Sequence, residues 1–226
     1  MNIIIFGPNG SGKGTQAFFL EKQYSLQHLE TGAIFRYNIA NETELGKQVK
    51  SFISQGALVP DSVTNPMMLT SLEQVTSKAG WLLDGYPRNL TQAVFLIESL
   101  SQRNIHVDFL IELLLDRSIA KQRLLGRRIC SQDASHNNNV SIPALAPHTE
   151  GLCRICSSPL TTRNDDIDED AINTRHDIYY NTESGTLSAL AYCKEKLCVE
   201  GSTQYITIDA TQDIDTIRDT LTKYIQ

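Results

Sequence analysis

No run in this chain approaches the roughly 18 to 20 uninterrupted apolar residues that span a bilayer, so no membrane-crossing helix is expected. The first residues, MNIIIFG, lack a basic stretch, and their short apolar run stops at a glycine, which is not the pattern of a secretory leader. Positive charge is in deficit: 20 Lys and Arg face 26 Asp and Glu, a net −6, which argues against a general binder of nucleic acid or of anionic membrane. Internal repeats and extended low-complexity tracts are missing too. Cysteines are few and odd in number, five, which without a leader favours thiols or metal ligands over a disulfide framework. A cytoplasmic location is therefore expected. Small anionic ligands stay open, because 11 of the 20 basic residues are Arg, whose planar fork suits phosphate.

What is present is a chain of 226 residues, 41% hydrophobic, long enough for one substantial α/β domain with smaller insertions. Short apolar runs at 2–6, 81–83, 109–115 and 205–208, with a further short one at 27–30, read as strands. Helical periodicity separates them at 13–24, 62–76, 89–102, 116–127 and 213–225. Alternating strands and helices predict a parallel sheet covered on both faces. Two segments break the alternation. Residues 31–60 read as two short helices, 32–40 and 45–54, closed by Gly56 and Pro60 with no strand between them. Residues 128–165 are rich in Gly, Pro, Asn and Ser and hold three of the cysteines; a loop of that length needs an organiser.

The strongest local pattern lies between the first strand and the first helix, where Gly7-Pro8-Asn9-Gly10-Ser11-Gly12-Lys13-Gly14-Thr15 fits GxxxxGK. Glycines let backbone amides turn inward around phosphate oxygens, the helix start points its positive end at them, and Lys13 adds a mobile cation. Position 14 is Gly, where Ser or Thr usually holds magnesium, and Thr15 comes next.

With its GKGT ending, this loop resembles that of the adenylate kinases and their nucleoside monophosphate kinase relatives. Further motifs are similar to that family's: Thr31-Gly32 with Arg36; Asp84-Gly85-Tyr86-Pro87-Arg88 and then Gln92; Arg123 and Arg127 in KQRLLGRR; Thr162-Arg163-Asn164-Asp165-Asp166; and Arg175. The resemblance spans nearly the whole chain. It implies a P-loop NTPase-like α/β core with a five-stranded parallel sheet flanked by helices (1–30, 61–127 and 166–226), a helical NMP-binding insertion (31–60) and a metal-containing lid (128–165). It further implies reversible transfer of the ATP γ-phosphoryl group to AMP, giving two ADP, with Mg²⁺ accompanying ATP and the enzyme working as a monomer.

The implied ATP contacts are Gly10, Ser11, Gly12, Lys13, Gly14, Thr15, Arg123, Arg127 and Gln212. Those for AMP are Thr31, Gly32, Arg36, Ala57, Leu58, Val59, Gly85, Arg88, Gln92, Arg163 and Arg175. Lys13, Asp84, Arg88, Arg123, Arg127, Arg163 and Arg175 would carry the chemistry, with Asp84 helping to hold magnesium. Arg123 and Arg127, four apart, are expected on one helix face. The chain departs from the family pattern at Ala33, where Asp is common, and at Ala210, which replaces a Gly. UMP or CMP is the alternative acceptor. A nucleic-acid-binding metal finger is disfavoured by the acidic charge and by its position between the phosphate-site arginines.

Cys130, Cys153 and Cys156 need a fourth ligand. His136, at Cys-x5-His, would complete a tetrahedral Cys3His site, with Asp133 and then His148 as alternatives. The metal is read as structural, with zinc the default, although Co(II) and Fe(II) also suit sulfur-rich tetrahedra. Cys193 and Cys198 read as buried or free thiols. His28, His106 and His176 stand outside any motif and read as structural or surface residues.

Overall fold

The computed structural model describes every residue except 134, 200 and 226, together with all other side chains but that of 164. Strand β1 (Asn2–Phe6) is almost wholly apolar and lies at the centre of a parallel sheet. Its neighbours are β3 (Trp81–Asp84) and β4 (Phe109–Leu114), flanked by β2 (Gln27–Glu30) and β8 (Gln204–Asp209), giving the order β2-β3-β1-β4-β8. Ile3 and Ile4 are fully buried because helices cover both faces. On one face α1 (Lys13–Tyr24) and α9 (Ile214–Ile225) pack Leu20, Ile217 and Leu221 against Ile3, Ile5 and Ile111. On the other, α4 (Asp61–Glu73), α5 (Leu90–Gln102) and α8 (Thr186–Cys193) bring Met68, Leu96 and Ala189 onto Ile4, Leu83 and Leu110. Truncating one of these wholly buried side chains to Ala would cost about 2 to 5 kcal/mol.

This strand order places the site. β1 and its two neighbours are joined by crossovers running in opposite directions, so a crevice opens beyond their carboxyl ends, where the glycine loop leaves β1.

Helices α2 (Thr31–Ala40) and α3 (Glu44–Ser54) form the expected helical insertion, with a small core of Phe35, Val49 and Val59. Segment 128–165 is more ordered than a loop. Strands β5 (Arg127–Cys130), β6 (Asn137–Asn139) and β7 (Leu160–Thr161) make a second, antiparallel sheet in the order β6-β5-β7.

Two expectations are corrected. Helix α6 (Arg117–Gly126) stops one residue short of the expected end, so Arg127 opens β5 with extended backbone and does not share a helix face with Arg123. Between 166 and 204, where a helical pattern is expected only around Cys193 and Cys198, the chain forms α7 (Glu169–Tyr180), α8 and a single π turn at Lys194–Val199.

Candidate active site

The glycine loop leads from Phe6 into α1, whose N-cap Gly12 supplies no side-chain cap, so the first-turn amides are left to the crevice. Gly10 has φ +96°, and a Cβ there would fall 2.5 Å from the Ala120 carbonyl oxygen, so only glycine lets the loop lie this close to α6. Lys13 Nζ donates to the Gly7 carbonyl (2.5 Å) and the Pro8 carbonyl (3.2 Å). Burial brings its pKa down to about 8, against the pull of Asp84 and with a further push from Arg88. Ser11 is turned under the loop: its N–H donates to the Pro8 carbonyl, and its buried hydroxyl has no partner among the described residues.

Asp84 and Glu30 end neighbouring strands in register. A side chain placed on Gly14 would sit 3.9 Å from Asp84 Oδ2, so this buried carboxylate borders the first turn of α1. Burial alone would raise Asp84, but His28 (Nε2 to Oδ2, 3.6 Å), Lys13 and Arg88 hold it below the ordinary carboxylate value. The imidazole of His28 is raised in turn, its burial outweighed by Asp84, Glu30 and Glu21.

Four of the crevice arginine side chains have partners within the protein. Arg36 pairs with Glu30. Arg88 Nε donates to the Gly85 carbonyl (2.9 Å), and its N–H donates to Gln92 Oε1 (2.8 Å). Gln92 is buried and donates through Nε2 to Asp61 Oδ1 (2.8 Å). Arg127 donates to Asp166 Oδ2 (2.7 Å), while Arg175 bonds Asp165 Oδ2 (2.9 Å) and Asp166 Oδ1 (3.2 Å). The Arg163 guanidinium has no hydrogen bond or ion pair among the described residues, although its main-chain carbonyl accepts from the Asp166 N–H (3.0 Å); burial, with Arg127 and Arg36 nearby, lowers its pKa to about 10. Mutual repulsion joins these cations in one field: Arg88 and Arg127 act on Lys13, Arg175 and Arg36 on Arg88, and Arg127 and Arg36 on Arg163.

Arg123 stands apart from that field. Its Nη1 donates to the Ala210 carbonyl (2.7 Å), at the end of the sheet where Gln212 is exposed. Thr31 is buried, its hydroxyl reaching the Asp84 carbonyl at 3.5 Å, and Gly32 lies against Arg36. Ala57, Leu58 and Val59 form the link from α3 to α4, with the Val59 side chain turned into the insertion's own core.

Sequence reasoning missed the asparagine strand β6. Asn137 Oδ1 accepts from Thr15 Oγ1 of α1 (3.0 Å), Asn138 Nδ2 reaches Cys153 Sγ (3.3 Å), and Asn139 Nδ2 donates to the Arg123 carbonyl (2.8 Å). Three consecutive residues thus touch the loop helix, the cysteine cluster and the end of α6. No local signal reports contacts of that range.

Cys130, His136, Cys153 and Cys156 bring their ligand atoms within 4.8 Å of one another. Cys130 Sγ lies 3.4 Å from Cys156 Sγ, and Cys153 Sγ lies 3.6 Å from His136 Nδ1. This donor set suits a tetrahedral thiophilic metal. Asp133 Oδ2 stands 3.5 Å from His136 Nε2, on the far side of the ring from the sulfurs. That is the placement of an outer partner that orients a ligating imidazole.

Residues 5–197 match a family model described as Adenylate kinase. Among curated proteins the chain is similar to an adenylate kinase of Solidesulfovibrio magneticus, 52% identical over 221 residues and 98% of each chain. It is also similar to one of Nitratidesulfovibrio vulgaris, 51% identical over the full length of both chains, and to one of Lawsonia intracellularis, 52% identical over 98% of this chain and 95% of that one.

Proposed function

This chain belongs to the adenylate kinase family, and from that premise we propose that it reversibly transfers the γ-phosphoryl group of ATP to AMP, giving two ADP. The observation that carries the reading is the single field joining Lys13 with Arg36, Arg88, Arg127, Arg163 and Arg175 across one crevice. One phosphate chain does not need so many cations; two facing each other do. We further propose that the enzyme works as a monomer and in the cytoplasm.

The donor phosphates would lie on the loop from Gly10 to Thr15, with Lys13 exchanging its carbonyl partners for phosphate oxygens. Arg127 would close on them from the lid, and Arg123, beside Ala210 and Gln212, would flank the donor base. The acceptor phosphate would take Arg36 and Arg88, and AMP would lie along Thr31, Gly32, Gly85 and the 57–59 link, with Gln92 near its base. Gln92 has one donor and one acceptor position left after its bonds to Asp61 and Arg88. Arg163 and Arg175 would steady the transferring group. Little covalent chemistry is asked of the protein, which positions the phosphates and spreads their charge. Mg²⁺ entering with ATP would supply further neutralisation, with Asp84 as the carboxylate placed to hold it or its waters. The Cys3His group would hold zinc, or Co(II) or Fe(II), as a structural ion in the lid, keeping the larger flap rigid as it shields the phosphoryl group from water.

A coupled assay offering AMP, GMP, UMP and CMP with MgATP tests the reading. AMP is expected to be the preferred acceptor; a preference for UMP or CMP would reassign the acceptor site.

A further inference from the structure

Helix α7 carries two adjacent side chains that face different parts of the crevice. Arg175 reaches the Asp165–Asp166 pair, while His176, fully buried, lies against the glycine loop with Nε2 3.2 Å from the Asn9 carbonyl oxygen. A carbonyl can only accept, so Nε2 carries the proton. Nδ1 is buried with no partner among the described residues. Neutral His176 with Nε2–H is therefore the form that fits.

The bond acts on the loop through peptide geometry. In a trans peptide the C=O and the next residue's N–H point in opposite directions. Holding the Asn9 carbonyl toward α7 therefore turns the Gly10 N–H away from α7. Gly10, at φ +96°, has no side chain to resist rotation of its own peptide. The neighbouring carbonyls of Gly7 and Pro8 are held by Lys13 Nζ, a group that must leave them to meet phosphate, and Pro8 keeps in addition the Ser11 N–H from within the loop. His176 is the anchor from outside the loop that stays.

We propose that His176 is a positioning residue for the donor nucleotide: by donating from Nε2 to the Asn9 carbonyl it sets the Gly10 amide for phosphate, without touching substrate itself. The proposal rests on the glycine loop being the ATP site. The surroundings favour a neutral ring. Arg175 on α7 and Arg117 at the start of α6 oppose a charge, Asp177 is engaged with Arg117 at 2.6 Å, and Tyr180 presents only its ring, centroid to centroid 6.0 Å. Burial, reinforced by those two arginines, pushes the imidazole below the ordinary histidine value.

The test compares His176→Leu, which fills the space without a donor, with His176→Gln, whose Nε2 can reach the same carbonyl. Leu is expected to raise KM for ATP about three- to tenfold with KM for AMP unchanged, the scale of one lost hydrogen bond, and Gln to restore most of it. Equal KM values for ATP in the Leu variant and wild type, a parallel rise for both nucleotides, or no rescue by Gln would overturn the proposal. In the wild-type protein, ¹⁵N-edited NMR is expected to show the neutral His176 ring with its proton on Nε2; the tautomer protonated on Nδ1 alone would overturn the proposal. Wild-type protein inactive with ATP and AMP would instead defeat the phosphotransfer reading, and the tautomer measurement would still decide the role of His176.

Discussion

At the scale of single residues the site is a set of cations with provisional partners. Lys13 holds two main-chain carbonyls, and its substitution by Met removes the mobile charge that would track the transferring group. We expect Lys13→Met to cost on the order of 3 kcal/mol or more of transition-state stabilisation, read as a fall of over a hundredfold in turnover. Retained turnover would remove Lys13 from the chemistry. Acidity gives a second expectation. Burial lowers Lys13 to about 8, so above that pH the ligand-free enzyme loses the charge that phosphate needs. kcat/KM for ATP, which reports free-enzyme ionisations, should therefore fall above about pH 8. Bound phosphates favour the protonated amine, so kcat should hold to higher pH. An ATP kcat/KM that stays flat to pH 9.5 would contradict this.

Among the elements, the antiparallel sheet of residues 127–161 joins three jobs. Asn137 ties it to Thr15, and one such hydrogen bond is worth about 0.5 to 1.5 kcal/mol net. Asn137→Ala should therefore shift the lid toward its open arrangement by about two- to tenfold, measured by energy transfer between dyes on the lid and the core. An unchanged distance distribution would show that Asn137 does not latch it. The cysteine cluster is the other support of this sheet. Cys153→Ser should lower the bound metal below one per chain and melt the lid early while the core transition persists, seen by metal analysis and calorimetry. Full stoichiometry in that variant would refute Cys153 as a ligand. The same elements separate local from distant information in the chain. The core strands were legible because β1 and its neighbours are largely apolar runs between glycine and polar punctuation, interrupted within β4 only by Glu112. Strands β5 to β7 were not, being two to four residues long with Arg and Asn in their sequences. Helix α7 was overlooked because its buried side includes Arg175 and His176, which give no apolar stripe. The glycine loop and the cysteine spacing were legible as local patterns. The partners of Asn137 and His176 lie 122 and 167 residues away, beyond anything spacing can report.

For the molecule as a whole, a net charge of −6 surrounds a crevice of the opposite local sign. Long-range attraction between that crevice and polyanionic substrates is screened over about 10 Å at 0.1 M salt. Raising ionic strength with an inert salt from about 0.05 to 0.5 M should raise KM for both ATP and AMP, since the same cations serve both. Insensitive KM values would mean that short-range contacts alone set affinity. The acidic balance and the cationic crevice are thus separate features of one chain, and the charge sum, which counts both, hides the second.

Helix α7 also limits how this chain can change length over evolutionary time. It begins just after Asp166, which holds Arg127, and ends its second turn with Arg175 and His176 facing different partners. Each residue added or lost in its first two turns rotates the remainder of the helix by about 100°. A single insertion or deletion between 169 and 175 would thus break the link to Asp165 and Asp166 and the grip on Asn9 together. The stretch 140–151, between the asparagine strand and the Cys153–Cys156 pair, has no such double obligation. Insertions and deletions should accumulate there, and substitutions alone should separate one lineage from another along the start of α7.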